Sequence, residues 1–282
     1  MRIANLKDRL TLLTEGGAID VEQESGGRFG ADPQAVFAQW RAFRAWVSEA
    51  DLDDAQAARI DGDSPGPPSP RPRQVFAIGL NYREHAAEGG YTGPTVPSVF
   101  TKFPTCLAGQ NASVRVASPR VDWEIELVAL VGEPAYRVSR DQAWSHVAGL
   151  TVGQDISARD VQYTGTSPQF SLAKSFPGFG PTGPWLITPD EIADPDDLHL
   201  LCTLNGETVQ EAHTAEMILS VPELIAHISS ICPMLPGDLV FTGTPAGVGH
   251  RRNPPRYLGP GDELVSTIEG IGSLRTRFVT AD

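Results

Sequence analysis

Acidic and apolar side chains alternate from Val121 to Leu127, and an unbroken apolar run follows to Val131. Successive strand side chains point to opposite faces, so the pattern predicts one strand carrying Asp122, Glu124 and Glu126 on one side and Trp123, Ile125 and Leu127 on the other. Shorter apolar runs bounded by glycine or proline predict strands at Val75 to Gly79, Val114 to Val116, Gly149 to Asp155, Trp185 to Thr188, Leu198 to Leu204, Asp238 to Thr242 and Asp262 to Ile268. Helical spacing is rarer. Asp141 to Val147 and Val221 to Ser230 carry it, the second with Ser220 as its cap and Pro222 and Glu223 in the first turn.

Ahead of this β-rich region the texture differs. Arg9 to Val21 reads as two strands around Gly16-Gly17, and Asp32-Pro33 reads as the start of an amphipathic helix. Val36, Phe37, Trp40, Phe43 and Val47 recur along that helix, which is expected to end near Asp51. Asp61 to Arg73 is proline-rich and builds no regular element, because proline fixes φ and removes a donor. The expected organisation is a small N-terminal α+β domain over residues 1–60, a junction over 61–73 and a main domain over 74–282. The expected fold class is mainly β with some α, the main domain being a roll or barrel.

Composition removes several kinds of partner. The chain of 282 residues carries a net charge of −13 and shows no basic stripe, which argues against nucleic acid or an anionic membrane. No apolar run is long enough to span a bilayer and no secretory signal is evident, so the expected compartment is the cytoplasm. Cys106, Cys202 and Cys232 are scattered and read as buried thiols rather than a disulfide or zinc framework.

The acidic strand poses the chemical question. Three carboxylates on one face stay ionised only if water, basic side chains or a cation meets them. A solvated face is the commoner fate of such a strand, and a bound divalent ion is the reading favoured by the surrounding blocks. Asp155 closes an apolar run, where a strand meets a loop, and offers a further oxygen or a turn cap. Oxygen ligands without clustered His or Cys favour Mg²⁺, with Mn²⁺ or Ca²⁺ as substitutes.

If a helical turn follows Gly79, His85 and Glu88 stand one turn apart, so that the carboxylate orients the imidazole as a general base; an exposed pair is the plainer alternative. Gly89-Gly90 behind them suggests a segment that closes over a site. Lys174 sits in a Gly/Pro-rich loop, as a cation for an anionic substrate or as a solvated lysine. Gly243 to Gly249 is either a cradle for a carboxylate, with the Thr244 hydroxyl, or a tight connection. Ser171-x-x-Lys174 lacks the companion motifs of serine acyl transferases. In Gly178-x-Gly180-x-x-Gly183, Pro181 within the motif and Pro184 after it forbid the phosphate-binding helix.

Five blocks occur in a fixed order: Asn81-Tyr82-x-x-His85, Asp122-x-Glu124-x-Glu126, Gly153 to Asp160, Lys174-Ser175-Phe176 and Thr242 to Val248. From about Gln74 to the C-terminus the chain thereby resembles the fumarylacetoacetate hydrolase family, specifically its acylpyruvate hydrolase-like group. The resemblance implies a mixed β-sandwich roll that forms a homodimer. It implies Glu124, Glu126 and Asp155 as ligands of Mg²⁺ or Mn²⁺, with Asp122 outside the direct ligand set. His85 and Glu88 would be the base dyad on a closing segment and Lys174 a catalytic cation, while Arg159, Gln162 and Thr244 would contact substrate.

The reaction this implies is hydrolytic cleavage of a C–C bond in an acylpyruvate-type 2-oxo acid, giving pyruvate or a substituted pyruvate and a carboxylic acid. The partner is then a small anionic 2-oxo acid. The alternatives on the same residues are decarboxylation of oxaloacetate-like acids and isomerisation or hydration of unsaturated 2-oxo acids, with a non-catalytic metal-binding scaffold further away.

Overall fold

The computed structural model describes residues 1–50, 52, 64–90 and 95–281. The expected helix end at Asp51, residues 53–60 of the N-terminal part and residues 61–63 of the junction lie outside the described residues. In chain order the strands are β1 (Arg2–Leu6), β2 (Arg9–Thr14), β3 (Gly17–Asp20), β4 (Val75–Gly79), β5 (Ser98–Thr101), β6 (Leu107–Ala108), β7 (Asn111–Arg115), β8 (Val121–Asp122) and β9 (Ile125–Val131). They continue as β10 (Val147–Gln154), β11 (Ser157–Ala158), β12 (Gly180–Ile187), β13 (His199–Leu204), β14 (Glu207–His213), β15 (Leu239–Phe241), β16 (Glu263–Ile268) and β17 (Gly272–Val279). The α-helices are α1 (Val21–Glu24), α2 (Trp40–Glu49), α3 (Arg83–Glu88), α4 (Arg159–Gln162), α5 (Phe170–Ala173) and α6 (Val221–Ile231).

The larger sheet has 10 strands, in the order β3-β2-β1-β12-β10-β9-β15-β4-β5 with β6 beside β12. The smaller has 5, in the order β14-β13-β16-β17-β7. Leu127 and Val152 of the first meet Leu200, Leu264 and Leu274 of the second in one apolar core, so the two sheets form the layers of a sandwich. Parallel pairs (β15 with β4, β17 with β7) stand among antiparallel ones, which makes the roll mixed. This is the mainly β fold that pattern and resemblance predicted.

β9 is buried at every position, as a strand covered on both faces must be. The continuous acidic strand expected from the alternation is, however, broken after Asp122. β8 pairs with β11 and β9 pairs with β10, and between them the N–H groups of Glu124 and Ile125 donate to the side-chain oxygens of Gln154 and Gln210, at 2.9 and 3.0 Å. Side-chain amides thus do at the break what a ladder does elsewhere, and no buried donor is left without a partner there.

The N-terminal part contributes the expected hairpin, β2 and β3, and one strand the pattern missed. That strand, β1, pairs with β12 (Arg2 opposite Ile187), so the hairpin extends the larger sheet. The first helix begins later than expected. Asp32 caps only a turn, accepting from Gln34 N–H at 2.9 Å; a 3-10 turn covers Ala35–Gln39, and α2 starts at Trp40. The helix expected from Asp141 to Val147 is likewise a 3-10 helix, Arg140–His146, rather than an α-helix. The helix at Val221 stands as expected, with Ser220 and Glu223 forming a reciprocal capping box.

Phe43 is fully buried and packs against Phe29, Trp40 and Trp46, in a cluster that continues into Val75, Val128, Leu130 and Phe241 of the larger sheet. Phe43→Ala should therefore cost about 3–5 kcal/mol and move one shared unfolding transition. Urea titration followed by circular dichroism and by tryptophan fluorescence checks this. Two transitions, with only one displaced, would show that the N-terminal part unfolds independently.

Candidate active site and metal centre

The site forms where β9 begins and β10 ends. Gly153 lies opposite Glu126 in the ladder, and the Asp155 N–H donates to the Glu124 carbonyl at 2.9 Å. This register brings together side chains from two adjacent strand ends. One carboxylate oxygen from each of Glu124, Glu126 and Asp155 lies within 4.8 Å of the others, and all three residues are buried.

Basic side chains meet these acids from three directions. Arg159, at the start of α4, donates from Nε to Asp122 at 2.8 Å and from its terminal nitrogens to Glu124 and Gln162. Lys174, just past α5, donates to Glu124 Oε2 at 2.7 Å and to Asp155 Oδ2 at 2.6 Å. Lys102, just past β5, donates to Asp155 Oδ1 at 2.7 Å and to the carbonyls of Lys174 and Phe179. Lys174 is thus not the solvated lysine of the plainer reading: it is 2% exposed.

Four buried carboxylates therefore face three cations, and the acid without a cationic hydrogen-bond partner among the described residues is Glu126, which accepts the Gly243 N–H at 2.7 Å. Burial, reinforced by the charges of Asp155 and Glu124, raises its carboxyl well above the usual range. Burial alone would do the same to Glu124, but Lys174 and then Arg159 outweigh it and hold that carboxyl at about 2. Burial also works against the Lys174 ammonium, and Asp155 and Glu124 more than restore it. Convergent hard oxygen donors carrying one negative charge in surplus fit a divalent cation held by Glu124, Glu126 and Asp155.

Asp122, expected on the same face, sits apart from this trio. It accepts from the N–H groups of Trp123, Gly249 and His250 at 2.9, 2.7 and 3.0 Å, and so anchors the loop after β15 to the acidic segment.

The helical turn expected after Gly79 is α3. His85 Nδ1 lies 3.0 Å from Glu88 Oε2, and Glu88 Oε1 accepts the Gly247 N–H at 3.0 Å. Burial pushes the Glu88 carboxyl up, but His85 and the Gly247 N–H prevail and hold it below the usual range. Gly247 has φ +101°, and a Cβ there would lie 2.3 Å from the Val209 carbonyl, so the loop reaches Glu88 only as glycine. Asn81 fixes the start of α3, its amide donating to the carbonyls of Leu219 and Thr242 at 2.9 and 2.8 Å.

One cavity of about 160 Å³ joins these parts, with His85, Glu124, Arg159, Gln162, Lys174 and Thr244 among the residues in its wall. Glu88 reaches it through His85 and Asp155 through Lys174, and Glu126 has an oxygen within 4.8 Å of Glu124. Every residue singled out from the sequence as a site residue is thus gathered at one place. Sequence reasoning missed Lys102, Gln154 and Gln210. Gln210 ties the Glu124-Ile125 break to the cavity wall, since its amide also donates to Thr244 Oγ1 at 2.8 Å.

Glu126 sets the sign of the pH response. A carboxyl whose folded pKa lies above its unfolded value adds stability below the unfolded value and loses it as pH rises through the folded one. Metal-free protein should lose thermal stability as pH rises above the ordinary carboxylate range, and Mg²⁺ should restore more at higher pH, because its binding displaces the Glu126 proton. Melting curves with chelator or Mg²⁺ between about pH 5 and pH 8 measure this. An increment from Mg²⁺ that does not grow with pH would remove Glu126 from the ligand set.

Residues 74–279 match the family model for the fumarylacetoacetate (FAA) hydrolase C-terminal domain. The human mitochondrial oxaloacetate tautomerase FAHD2A is 40% identical over 214 residues, covering 75% of this chain and 68% of that protein. A solved structure from Mycobacterium smegmatis shares 49% identity at a TM-score of 0.96, and fumarylacetoacetate hydrolase from Exiguobacterium antarcticum shares 30% at 0.87; each covers 100% of both chains. The five ordered blocks, the roll and the acidic trio at its strand ends are accounted for together: the chain belongs to the fumarylacetoacetate hydrolase family.

Proposed function

We propose that the site moves a proton at the carbon beside the 2-oxo group of a small 2-oxo acid, and that it interconverts the keto and enol forms of an oxaloacetate-like acid. The observation that carries this reading is one cavity whose wall holds both His85, bonded to Glu88, and Glu124, one of the acidic trio. At about 160 Å³ that cavity suits a compact acid; drug-sized ligands occupy about 300–1,000 Å³. The 40% identity to an oxaloacetate tautomerase supports the choice of reaction.

A divalent ion held by Glu124, Glu126 and Asp155 would polarise the 2-oxo oxygen and acidify the neighbouring C–H bond. Glu88 accepts from Nδ1 and so orients the imidazole with Nε2 as its basic nitrogen. His85 takes the proton from C3 while the C–H electron pair moves into the C2–C3 bond and the C2 oxygen gains charge. Protonation of that oxygen gives the enol, and the reverse sequence gives the ketone. Lys174 keeps its ammonium through Asp155 and Glu124 and adds positive potential where that charge collects. Thr244 and the glycine-rich loop around it offer a wall for the substrate carboxylate.

A second reading has support of its own. The same dyad would take a proton from water, and water added to the far carbonyl of an acylpyruvate would lead to C–C cleavage, as the likeness to a fumarylacetoacetate hydrolase suggests. Product analysis separates the two. Mg²⁺-loaded protein given enol oxaloacetate should speed loss of the enol absorbance, whereas pyruvate and a carboxylic acid released from acylpyruvates would select hydrolysis. In either case His85→Ala should lower turnover by ~10²- to 10⁴-fold while Mg²⁺ uptake by equilibrium dialysis stays the same. Full turnover by that variant would sink the dyad.

A further inference from the structure

Three strong cations line the cavity: Arg159, Lys174 and Arg251. Two are spent on acids. Arg159 holds Asp122 and Glu124, and Lys174 holds Glu124 and Asp155. Arg251 differs: among the described residues no carboxylate lies within ion-pair distance of its guanidinium, in a chain whose net charge is −13. Its neighbour Arg252 is engaged, donating to the Val209 carbonyl at 2.9 Å and lying 5.5 Å from the Trp123 ring centre.

The backbone that carries Arg251 is fixed to the site. It closes the 3-10 turn Gly249–Arg251, and the first two N–H groups of that turn are the ones held by Asp122. Gly249 admits no side chain, since a Cβ would lie 2.0 Å from the Arg256 carbonyl. Arg251 lines the same cavity as His85 of the base dyad. His250 beside it adds a flat wall instead of a charge. It stacks on Tyr163 with ring centres 5.4 Å apart, and burial, followed by the charge of Arg159, lowers its imidazole pKa.

We propose that Arg251 seats a second anionic group, a carboxylate on the far end of the 2-oxo acid, and thereby makes the site prefer diacids to monoacids of equal length. This rests on the 2-oxo acid reading above and adds a specificity-determining residue to it. The 2-oxo acid end occupies the acidic trio, where Arg159 and Lys174 are already committed. The remaining anionic end meets the one pocket guanidinium that holds no carboxylate, and that guanidinium can accept it through a forked pair of hydrogen bonds.

Isothermal titration of the Mg²⁺-loaded full chain tests this with three kinds of probe. Oxalate engages the proximal end alone; 2-oxoglutarate and 2-oxoadipate add a distal carboxylate; 2-oxopentanoate and 2-oxohexanoate match their lengths without it. The protein should bind at least one diacid about tenfold more tightly than the monoacid of equal length. Arg251→Ala and Arg251→Met should erase that difference, Arg251→Lys should keep part of it, and the weakening should be confined to the diacid. In turnover, Arg251→Ala should raise KM for a diacid substrate with little change in kcat. A diacid preference that survives in Arg251→Ala overturns the assignment, as does its absence in the unmodified chain or an equal weakening of oxalate. Failure of the unmodified chain to bind oxalate would overturn the 2-oxo acid reading itself, and this inference with it.

Discussion

The mutual balance of buried charge at the ends of β9 and β10 is the constraint on which the molecule depends. Four carboxylates and three cations are packed where little water reaches, and removing any partner of such a pair leaves an uncompensated charge. Each cation arrives from a different connection: Lys102 after β5, Arg159 after β11, Lys174 after α5. The loops are therefore held by the acids as firmly as the acids are held by the loops. A balance left one negative charge in surplus, with the surplus on Glu126, is neutralised by a proton or by a cation. That choice links metal binding to pH.

A second layer of uncharged polar groups keeps the acids in register. Gln154 from the larger sheet and Gln210 from the smaller accept the two N–H groups at the strand break, and each spends its own amide on a further buried partner, Ser266 for one and Thr244 for the other. The break lets Asp122 turn aside to hold Gly249 and His250 while Glu124 and Glu126 converge with Asp155. A continuous strand would have set three acids in a row. The interrupted one ties the first to the scaffold and lets the other two converge with Asp155.

Much of this was legible along the chain, for identifiable reasons. β9, β13 and β16 carry apolar side chains at most or every second position and stand out as strands. β14 and β17 escaped because their outward positions, Glu211, Arg275 and Arg277 among them, make the run look like a polar connection. β12 was read only from Trp185 because Pro181 and Pro184 argue against a strand; Pro184 falls at the shifted register opposite Leu150 and Val152, where such a residue is tolerated. The ordered motif blocks exposed the acids, the dyad and Lys174. Lys102 stayed hidden because it ends a largely exposed strand, and its partners, Asp155 and the carbonyls of Lys174 and Phe179, are brought to it only by the fold. The break at Trp123 is invisible locally, because the amides that satisfy it belong to Gln154 and Gln210, far along the chain.

Glu88 spends one oxygen on the imidazole beside it and the other on Gly247 in the loop after β15. The aligning acid of the dyad is therefore also a clasp between α3 and the loop after β15. An outward movement of α3 would surrender the bond from Gly247, and with it one of the two donors that lower this carboxyl's pKa. In the proposed reaction, access and reactivity would then alternate: the doorway and the trigger would share a single hinge pin.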